Sequence, residues 1–121
     1  MIRTPHDKKE ACKIALSHRL FVPGWELRRD LWNHWKYDFT VRYIVLYYED
    51  EIPIGVGIIT RWDDIKIFVR LKHRRRGIGR EIVAALREKM AADKSEFIMD
   101  AGYGVPGSLQ FWEAMKVPLW E

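Results

Sequence analysis

Apolar residues recur at two different spacings along the chain, and these spacings divide it into helices and strands. Spacings of three and four residues predict a helix over residues 7–20, with Asp7 near its N-cap, and a second helix over residues 25–37. The apolar positions of the second pattern are Leu27, Leu31, Trp32 and Trp35. Both helices precede any strand, so we expect them to pack against a sheet that the later segments form.

The central third of the chain changes to β-branched and aromatic residues. Residues 41–49 and 54–61 are two such runs, and the polar turn between them predicts a β-hairpin. Strict alternation over residues 65–71 adds a third antiparallel strand. The central segment is therefore predicted to be a meander.

The last third combines helical and strand patterns. One helical face predicts a helix over residues 80–92, and a short apolar run predicts a strand over residues 97–101. Because a helix separates this strand from the one before it, the two are expected to be parallel. A last helix is predicted over residues 108–115. The pattern as a whole predicts an α+β fold in a single domain over residues 1–121.

Length and composition narrow the classes of protein. With 121 residues, of which 48% are hydrophobic, the chain can bury one core but is too short for two domains. No run approaches the ~18 to 20 apolar residues that cross a bilayer, and the first residues lack the apolar core of a signal peptide. Cys12 is the only cysteine, and the four histidines are scattered. We therefore expect a cytoplasmic protein with no membrane segment and no metal site.

Positive charge is concentrated in one short segment. Residues 70–80, which we call the basic turn, hold six of the 21 Lys and Arg residues and no acidic residue, whereas the whole chain carries +4. Without the basic turn, the rest of the chain would be slightly acidic, with a net charge of −2. A local excess of this kind favours a defined site for an anion over a diffuse nucleic-acid-binding surface.

The basic turn joins a predicted strand to a predicted helix. Gly77 and Gly79 permit positive φ and close approach of a ligand to the backbone. The first amides of the following helix lack intrahelical partners and lie at the positive end of its dipole. The turn lacks the Gly-Lys-Ser/Thr ending of a P-loop and the third glycine of a dinucleotide fingerprint. It therefore predicts a phosphate-binding site that belongs to neither nucleotide family.

The spacing Val69-x4-Arg74-x2-Gly77-x-Gly79 resembles the acyl-CoA pyrophosphate loop of the GNAT acetyltransferase superfamily. The resemblance extends over most of the chain, because the predicted order of helices and strands is also similar. It implies a GNAT-like α+β fold: a mixed, mostly antiparallel central sheet with helices on both faces and a splayed slot for acyl-CoA. It also implies an N-acetyltransferase that uses acetyl-CoA and an amine-bearing acceptor.

The same resemblance implies which residues bind the cofactor. Backbone groups of the strand before the basic turn would pair with pantetheine, and the amides of residues 75–80 would bind the pyrophosphate. The cofactor-binding residues implied in this way are Ile67, Phe68, Val69, Arg74, Arg75, Arg76, Gly77, Ile78, Gly79, Arg80 and Trp112.

Catalysis needs a group that removes a proton from the acceptor, since an alkylamine with a pKa of ~10.4 is protonated at neutral pH. Asp63 and Asp64, at the start of the strand before the basic turn, and Asp100 are the candidates for the general base. Family members often carry an Asn and an acidic Tyr near the last helix, where this chain has Val105 and Trp112. Indole has no useful acidity, so the general acid would have to be the nearby Tyr103.

Three functional alternatives remain open on the sequence alone. The first is acetyl transfer to a primary amine of a protein lysine, a protein N-terminus or a small molecule. The second is a GNAT-like protein that binds CoA without catalysis, and the third is nucleic-acid binding through the basic turn. Family members continue beyond the last helix into two more strands, so the acceptor side is expected to be open or covered by a second subunit in a homodimer. The N-terminal helices would line the acceptor side with Trp25, Glu26, Arg29, His34 and Tyr37.

Overall fold

Five strands form one sheet in which spatial order follows chain order. The computed structural model describes residues 1–23, 26–92, 100–101 and 108–116. The strands are β1 (Ile2–Arg3), β2 (Val41–Glu49), β3 (Ile52–Thr60), β4 (Asp64–Val69) and β5 (Asp100–Ala101). The helices are α1 (Lys8–Ser17), α2 (Glu26–Tyr37), α3 (Ile78–Ala92) and α4 (Ser108–Ala114), and a 3₁₀ turn spans Leu71–His73.

The predicted meander is confirmed, and so is a fifth strand parallel to β4, of which the predicted residues 97–99 lie outside the described part of the chain. Strands β1 to β4 pair antiparallel, whereas β5 pairs parallel to β4. The β2–β3 hairpin closes through Asp50 and Glu51, whose φ angles of 51° and 65° are those of a two-residue turn that follows the sheet twist. β1 was not expected, because two residues are too few to give a periodic signal.

The two faces of the sheet bury different helices. α1 and α2 pack on one face against side chains such as Ile44, Leu46 and Ile58. α3 and α4 pack on the other face against Val45, Ile59 and other residues that point the opposite way. The predicted arrangement of helices on both faces is therefore confirmed, and β4 lies between two packed layers.

The buried stripe of α2 differs from the predicted one. The structure buries Leu27, Asp30, Leu31 and His34, which recur at spacings of three, one and three. Trp32 and Trp35, which the sequence pattern placed on the packed face, are exposed. The helix is rotated toward Asp30 because that carboxylate has an ion-pair partner on the sheet, so its burial costs less than that of an unpaired charge.

Helix boundaries shift by a few residues from the predicted ones. α1 begins where expected, since the Asp7 side chain accepts a hydrogen bond of 2.9 Å from the Lys9 backbone N–H. It ends at Ser17 and not at residue 20, because Arg19 has a φ of 54°. α3 begins two residues earlier than predicted, at Ile78. That earlier start places Gly77 at the first position before the helix.

Candidate functional site

β4 has one edge that no strand in the described part of the chain covers over residues 66–69. β5 pairs with β4 only at Asp64 and Ile65, through Asp100 and Ala101. On the other side, β3 pairs with β4 over its length, as far as Val69. We call the uncovered side of residues 66–69 the open edge. It provides the strand-like hydrogen-bonding groups that an extended ligand would need.

Successive residues of β4 direct their backbone N–H and C=O groups to opposite sides of the strand, so only alternate residues face the open edge. The Arg70 N–H donates to the Ile54 carbonyl of β3 at 2.9 Å, so residues at even positions pair with β3. Ile67 and Val69 therefore direct their backbone groups to the open edge, whereas Phe68 directs its own to β3. Of the three β4 residues predicted to contact pantetheine, two are thus oriented for it.

The basic turn carries two residues in the left-handed region. Arg75 has a φ of 65° and Gly77 a φ of 80°, and a Cβ added at Gly77 would meet open space. The first α-helical hydrogen bond after the turn runs from the Glu81 N–H to the Gly77 carbonyl at 3.1 Å. The amides of residues 77–80 precede that bond, so they are the ones left for an anion.

Gly79 keeps three elements close together at the start of α3. A Cβ at this position would lie 3.1 Å from Cε1 of Phe111 on α4 and 3.4 Å from Cδ1 of Ile67 on β4. The absence of a side chain therefore lets the helix start approach the open edge closely. This contact places the free amides and the edge of β4 on one continuous surface.

Three of the five arginines in the basic turn bind other groups of the protein, and Arg70 does so through the His18 carbonyl. Arg74 donates through Nε to the Val69 carbonyl at 2.8 Å. Arg76 reaches the Glu49 carboxylate at 3.0 and 3.2 Å, and that contact lowers the pKa of Glu49. Arg75 and Arg80 are exposed and have no ion pair within the described ranges. Arg74 and Arg76 therefore shape the turn, and Arg75 and Arg80 are available to phosphates.

The candidate bases lie at the start of β4, at the opposite end of the strand from the basic turn. Asp63 has a φ of 68°, and its Oδ1 accepts a hydrogen bond of 2.8 Å from Nη1 of Arg42. The parallel register places Asp64 directly beside Asp100. Because side chains alternate along a strand, Asp64 lies on the α1 and α2 face with Lys66 and Phe68. Tyr103 and Val105 lie outside the described residues.

Comparison with known proteins supports the architecture. The acetyltransferase (GNAT) family matches residues 12–115. The chain belongs to this family. No curated protein matches the chain significantly. Membership confirms the predictions of an N-acetyltransferase and of acetyl-CoA as its cosubstrate.

Solved structures with this fold cover the whole chain at low sequence identity. An aminoglycoside N-acetyltransferase AAC(6')-Iy in complex with CoA has 18% identity and a TM-score of 0.66, with 100% of this chain and 89% of that chain covered. Glucosamine-6-phosphate N-acetyltransferase from Arabidopsis thaliana has 16% identity and a TM-score of 0.63, with 100% of this chain and 92% of that chain covered. Ribosomal-protein-alanine N-acetyltransferase from Brucella melitensis biovar Abortus 2308 has 12% identity and a TM-score of 0.62, with 100% of this chain and 92% of that chain covered. At these identities the likeness shows the fold alone.

Trp112, predicted to contact the cofactor, belongs to the core. Only 5% of its surface is exposed, and its ring meets that of Phe111 edge-on with centroids 5.0 Å apart. It packs in the cluster that α3 and α4 form against the sheet. The indole is therefore a structural group in this structure, and cofactor contact by Trp112 stays a prediction.

Helix α2 and strand β4 share a charged cluster that the sequence did not reveal. Lys66 on β4 forms ion pairs with Asp30 and Glu26 on α2, the latter at 3.2 Å. Asp30 is buried and Glu26 is exposed. A lysine on the packed face of an alternating strand was the available signal, since a buried charge requires a partner. This cluster fixes α2 to the strand that borders the open edge.

The other acceptor-side residues named from the sequence are not brought together. His34 is buried, and its Nδ1 accepts a hydrogen bond of 2.9 Å from the Val41 backbone N–H. Arg29 lies 3.7 Å from Glu26, and Tyr37 is exposed at the far end of α2. Trp25 lies outside the described residues. His34 is therefore a core residue and not a wall of the acceptor site.

Two other site types receive no support within the described ranges. No helix there is long and apolar enough to cross a membrane. Among the same residues, no group of three or more His, Cys, Asp or Glu side chains is placed to hold a metal ion.

Proposed function

We propose that the protein transfers the acetyl group of acetyl-CoA to a primary amine, carried by a protein lysine, a protein N-terminus or a small molecule. The observation that carries the proposal is the junction of the open edge of β4 with the free amides of residues 77–80. An extended pantetheine arm needs strand-like partners, and a pyrophosphate needs clustered N–H donors. This junction offers both on one surface.

The residues present fit acetyl-CoA at each part of that surface. Backbone groups of Ile67 and the N–H of Val69, whose carbonyl accepts from Arg74, would pair with pantetheine, and the amides at the start of α3 would bind the pyrophosphate. Arg75 and Arg80 would neutralise phosphate charge, because neither is used by another part of the described fold. Bound acetyl-CoA supplies an activated acetyl thioester, whose C–S bond breaks as the new C–N bond forms.

The chain itself must deprotonate the acceptor. We assign this role to Asp64 and Asp100, whose backbone positions the β4–β5 register pairs, with Asp63, whose carboxylate accepts a hydrogen bond from Arg42, as the further candidate. A carboxylate on the α1 and α2 face takes the proton from the ammonium group, directly or through one water, before the nitrogen attacks. The departing thiolate takes a proton from water, with Tyr103 as the predicted alternative.

Ligand-dependent melting tests the binding half of the proposal. A ligand present at a hundredfold excess over its Kd stabilises the native state by about 2.7 kcal/mol. Gly77→Asp should abolish this shift, because a carboxylate would face the phosphates. Gly77→Asn is the matched control, since Asn has the same shape and tolerates positive φ. Equal loss in both variants would contradict an electrostatic role for this position.

A second candidate from the sequence, CoA binding without catalysis, depends on Trp112, which stands where family members often carry an acidic Tyr and is buried in the core. Release of free thiol from acetyl-CoA, measured against a panel of amines and lysine peptides, separates the two. Catalysis predicts acceptor-dependent release that Asp64→Asn reduces at least tenfold. Binding without catalysis predicts a melting shift with no release above the rate of spontaneous hydrolysis.

Nucleic-acid binding through the basic turn is less compatible with the contacts. Arg74 binds the Val69 carbonyl, Arg76 binds Glu49, and Arg70 donates to the His18 carbonyl at 2.9 Å. Half of the six basic side chains therefore serve the fold. Retention on DNA that falls steeply with salt and is competed by acetyl-CoA would support this reading instead.

A further inference from the structure

The last residue of β2 bonds to the basic turn through its side chain. Oε2 of Glu49 lies 3.0 Å from Nη2 of Arg76, and Oε1 accepts a hydrogen bond of 3.2 Å from Nη1 of the same guanidinium. Two parallel contacts of this kind fix the relative orientation of both groups, which a single contact does not. The Glu49 carboxylate therefore ties the end of the β2–β3 hairpin to the residue that immediately precedes Gly77.

His73 joins this pair from the 3₁₀ turn. Its Nδ1 lies 3.0 Å from Nη1 of Arg76 and 3.7 Å from Oε1 of Glu49. A guanidinium can only donate, so Nδ1 of His73 is the acceptor in its hydrogen bond with Arg76. The hydrogen bond from Arg76 also lowers the pKa of the Glu49 carboxyl, which keeps that group ionised at neutral pH. Arg76 is thus held by one acceptor on β2 and one within the basic turn.

The backbone between the side-chain contacts of the turn adopts a conformation that needs support. Arg75 has a φ of 65°, in the left-handed region, which costs free energy for a residue with a Cβ. Such a conformation persists where the surrounding contacts hold it. On one side, Arg74 is fixed by its hydrogen bond to the Val69 carbonyl, and on the other, Arg76 is fixed by Glu49. These two contacts set the path on which the chain enters α3.

Strand β2 also contacts the first turn of α3. The side chains of Tyr47 and Glu81 form a hydrogen bond, in which the phenol O–H donates to the carboxylate. Tyr47 precedes Glu49 by two residues on β2, and residues 77–80 lie between Arg76 and Glu81 in the chain. The end of β2 therefore holds the chain on both sides of the free amides.

We propose that Glu49 is a positioning residue for the cofactor: by holding Arg76, it keeps the amides of residues 77–80 directed at the pyrophosphate of acetyl-CoA. The inference rests on the cofactor surface of the proposed function and adds a residue that lies 27 positions before Arg76 in the sequence. A carboxylate close to a phosphate site repels the ligand by its charge. The positioning effect of Glu49 and its charge effect therefore have opposite signs, which makes them separable.

Titration of the full chain with acetyl-CoA, followed by backbone amide chemical shifts, separates the two effects. Glu49→Gln removes the charge and weakens the two-point contact while keeping the shape of the side chain. It should raise the Kd for acetyl-CoA about fivefold, the upper range for a partly exposed pair, whereas loss of the charge alone would lower the Kd. Glu51→Gln is the matched control, because it removes the same charge from the same hairpin and its partner is Arg3, at 2.6 Å. The Kd of this control should stay within about twofold of the wild-type value.

Two comparisons test whether the effect passes through Arg76 and the turn. Because Glu49→Gln and Arg76→Ala break the same contact, the double variant should bind acetyl-CoA no more weakly than Arg76→Ala alone. S-acetylpantetheine lacks the pyrophosphate, so at one fixed concentration it should shift the Ile67 amide equally in the wild type and in Glu49→Gln. A general loss of the fold would reduce that shift as well.

An unchanged or lower Kd for acetyl-CoA in Glu49→Gln would overturn the proposal. So would losses that add in the double variant, or a smaller Ile67 shift with S-acetylpantetheine. Because these are binding measurements, a wild type that binds acetyl-CoA without transferring the acetyl group would contradict the proposed function and leave the role of Glu49 standing. A wild type that does not bind acetyl-CoA would overturn both.

Discussion

A methyl group added at Gly57 should displace α3 from the sheet. In the structure, a Cβ at Gly57 would lie 2.2 Å from Cγ2 of Ile82, 3.0 Å from Cδ1 of Leu86 and 3.3 Å from Cγ2 of Ile67. The first distance is about 1.3–1.8 Å shorter than the optimal carbon–carbon separation of about 3.5–4.0 Å. Cγ2 moves only with χ1, and a β-branched residue in a helix is held to one preferred χ1 rotamer, so the helix itself must move to relieve the clash.

Overpacking of this kind costs about 1–3 kcal/mol. For a domain of this size, each kcal/mol lowers the melting temperature by about 4 °C, so Gly57→Ala should melt about 4–12 °C below the wild type. The start of α3 carries the free amides, so the affinity for acetyl-CoA should fall as well. Gly55→Ala is the matched control, because its nearest contact of 3.2 Å, Cδ1 of Ile82, is the flexible end of the side chain. It should cost less than about 1 kcal/mol.

A double-mutant cycle identifies the cause. Ile82→Ala removes Cγ2, so Gly57→Ala should cost much less in that background, and the coupling energy should be at least about 1 kcal/mol. Ile82→Val keeps Cγ2 and should give no comparable relief. Chemical denaturation of the four proteins measures these differences. Additive losses in the Ile82→Ala background would refute the close packing of α3 on β3.

Three further predictions concern buried polar groups. Burial lowers the pKa of His34, so protonation favours the unfolded chain. The free energy of unfolding should therefore reach its full value above about pH 6.5 and fall at lower pH. His34→Asn should remove this pH dependence in urea titrations at about pH 5.5 and 7.5. Burial raises the pKa of Cys12 to about 12, so labelling by an aromatic disulfide should be limited by unfolding, and rapid labelling of the native protein would contradict its burial. Lys66→Met should destabilise the protein by about 3 kcal/mol, because it leaves Asp30 unpaired. Asp30→Asn in the same chain should recover most of this loss. Equal stability of both variants and the wild type would argue against the ion pair.

Local patterns made most of the fold predictable. β2 was predicted with its observed bounds, since its signal is a run of β-branched and aromatic residues. The basic turn was predictable for the same reason, because strand end, glycines and helix start are neighbours in sequence. α2 was predicted as a helix but with the wrong buried stripe. The partner that stabilises Asp30 on the packed face is Lys66, 36 residues away.

The functional surface was only partly predictable. The family resemblance named Ile67, Phe68 and Val69 together, whereas the hydrogen-bond phase between β3 and β4 separates Phe68 from the other two. Which residues of β4 form hydrogen bonds with β3 depends on the register of the two strands, and the sequence of one strand does not determine that register. The stacking of Arg61 between Phe39 and Trp62 is equally non-local, because it requires the α2–β2 link to meet the β3–β4 turn. Sequence spacing alone therefore does not predict this contact.

Backbone amide chemical shifts, followed while acetyl-CoA is added, test the central claim most directly. At 14.5 kDa the protein is well suited to two-dimensional nitrogen–proton spectra. The account predicts that the largest saturable changes occur at Ile67, Val69 and residues 75–80, with Phe68 less affected than its two neighbours. Changes that never saturate, or that cluster elsewhere on the protein, would contradict the assignment of the cofactor to the open edge and the basic turn.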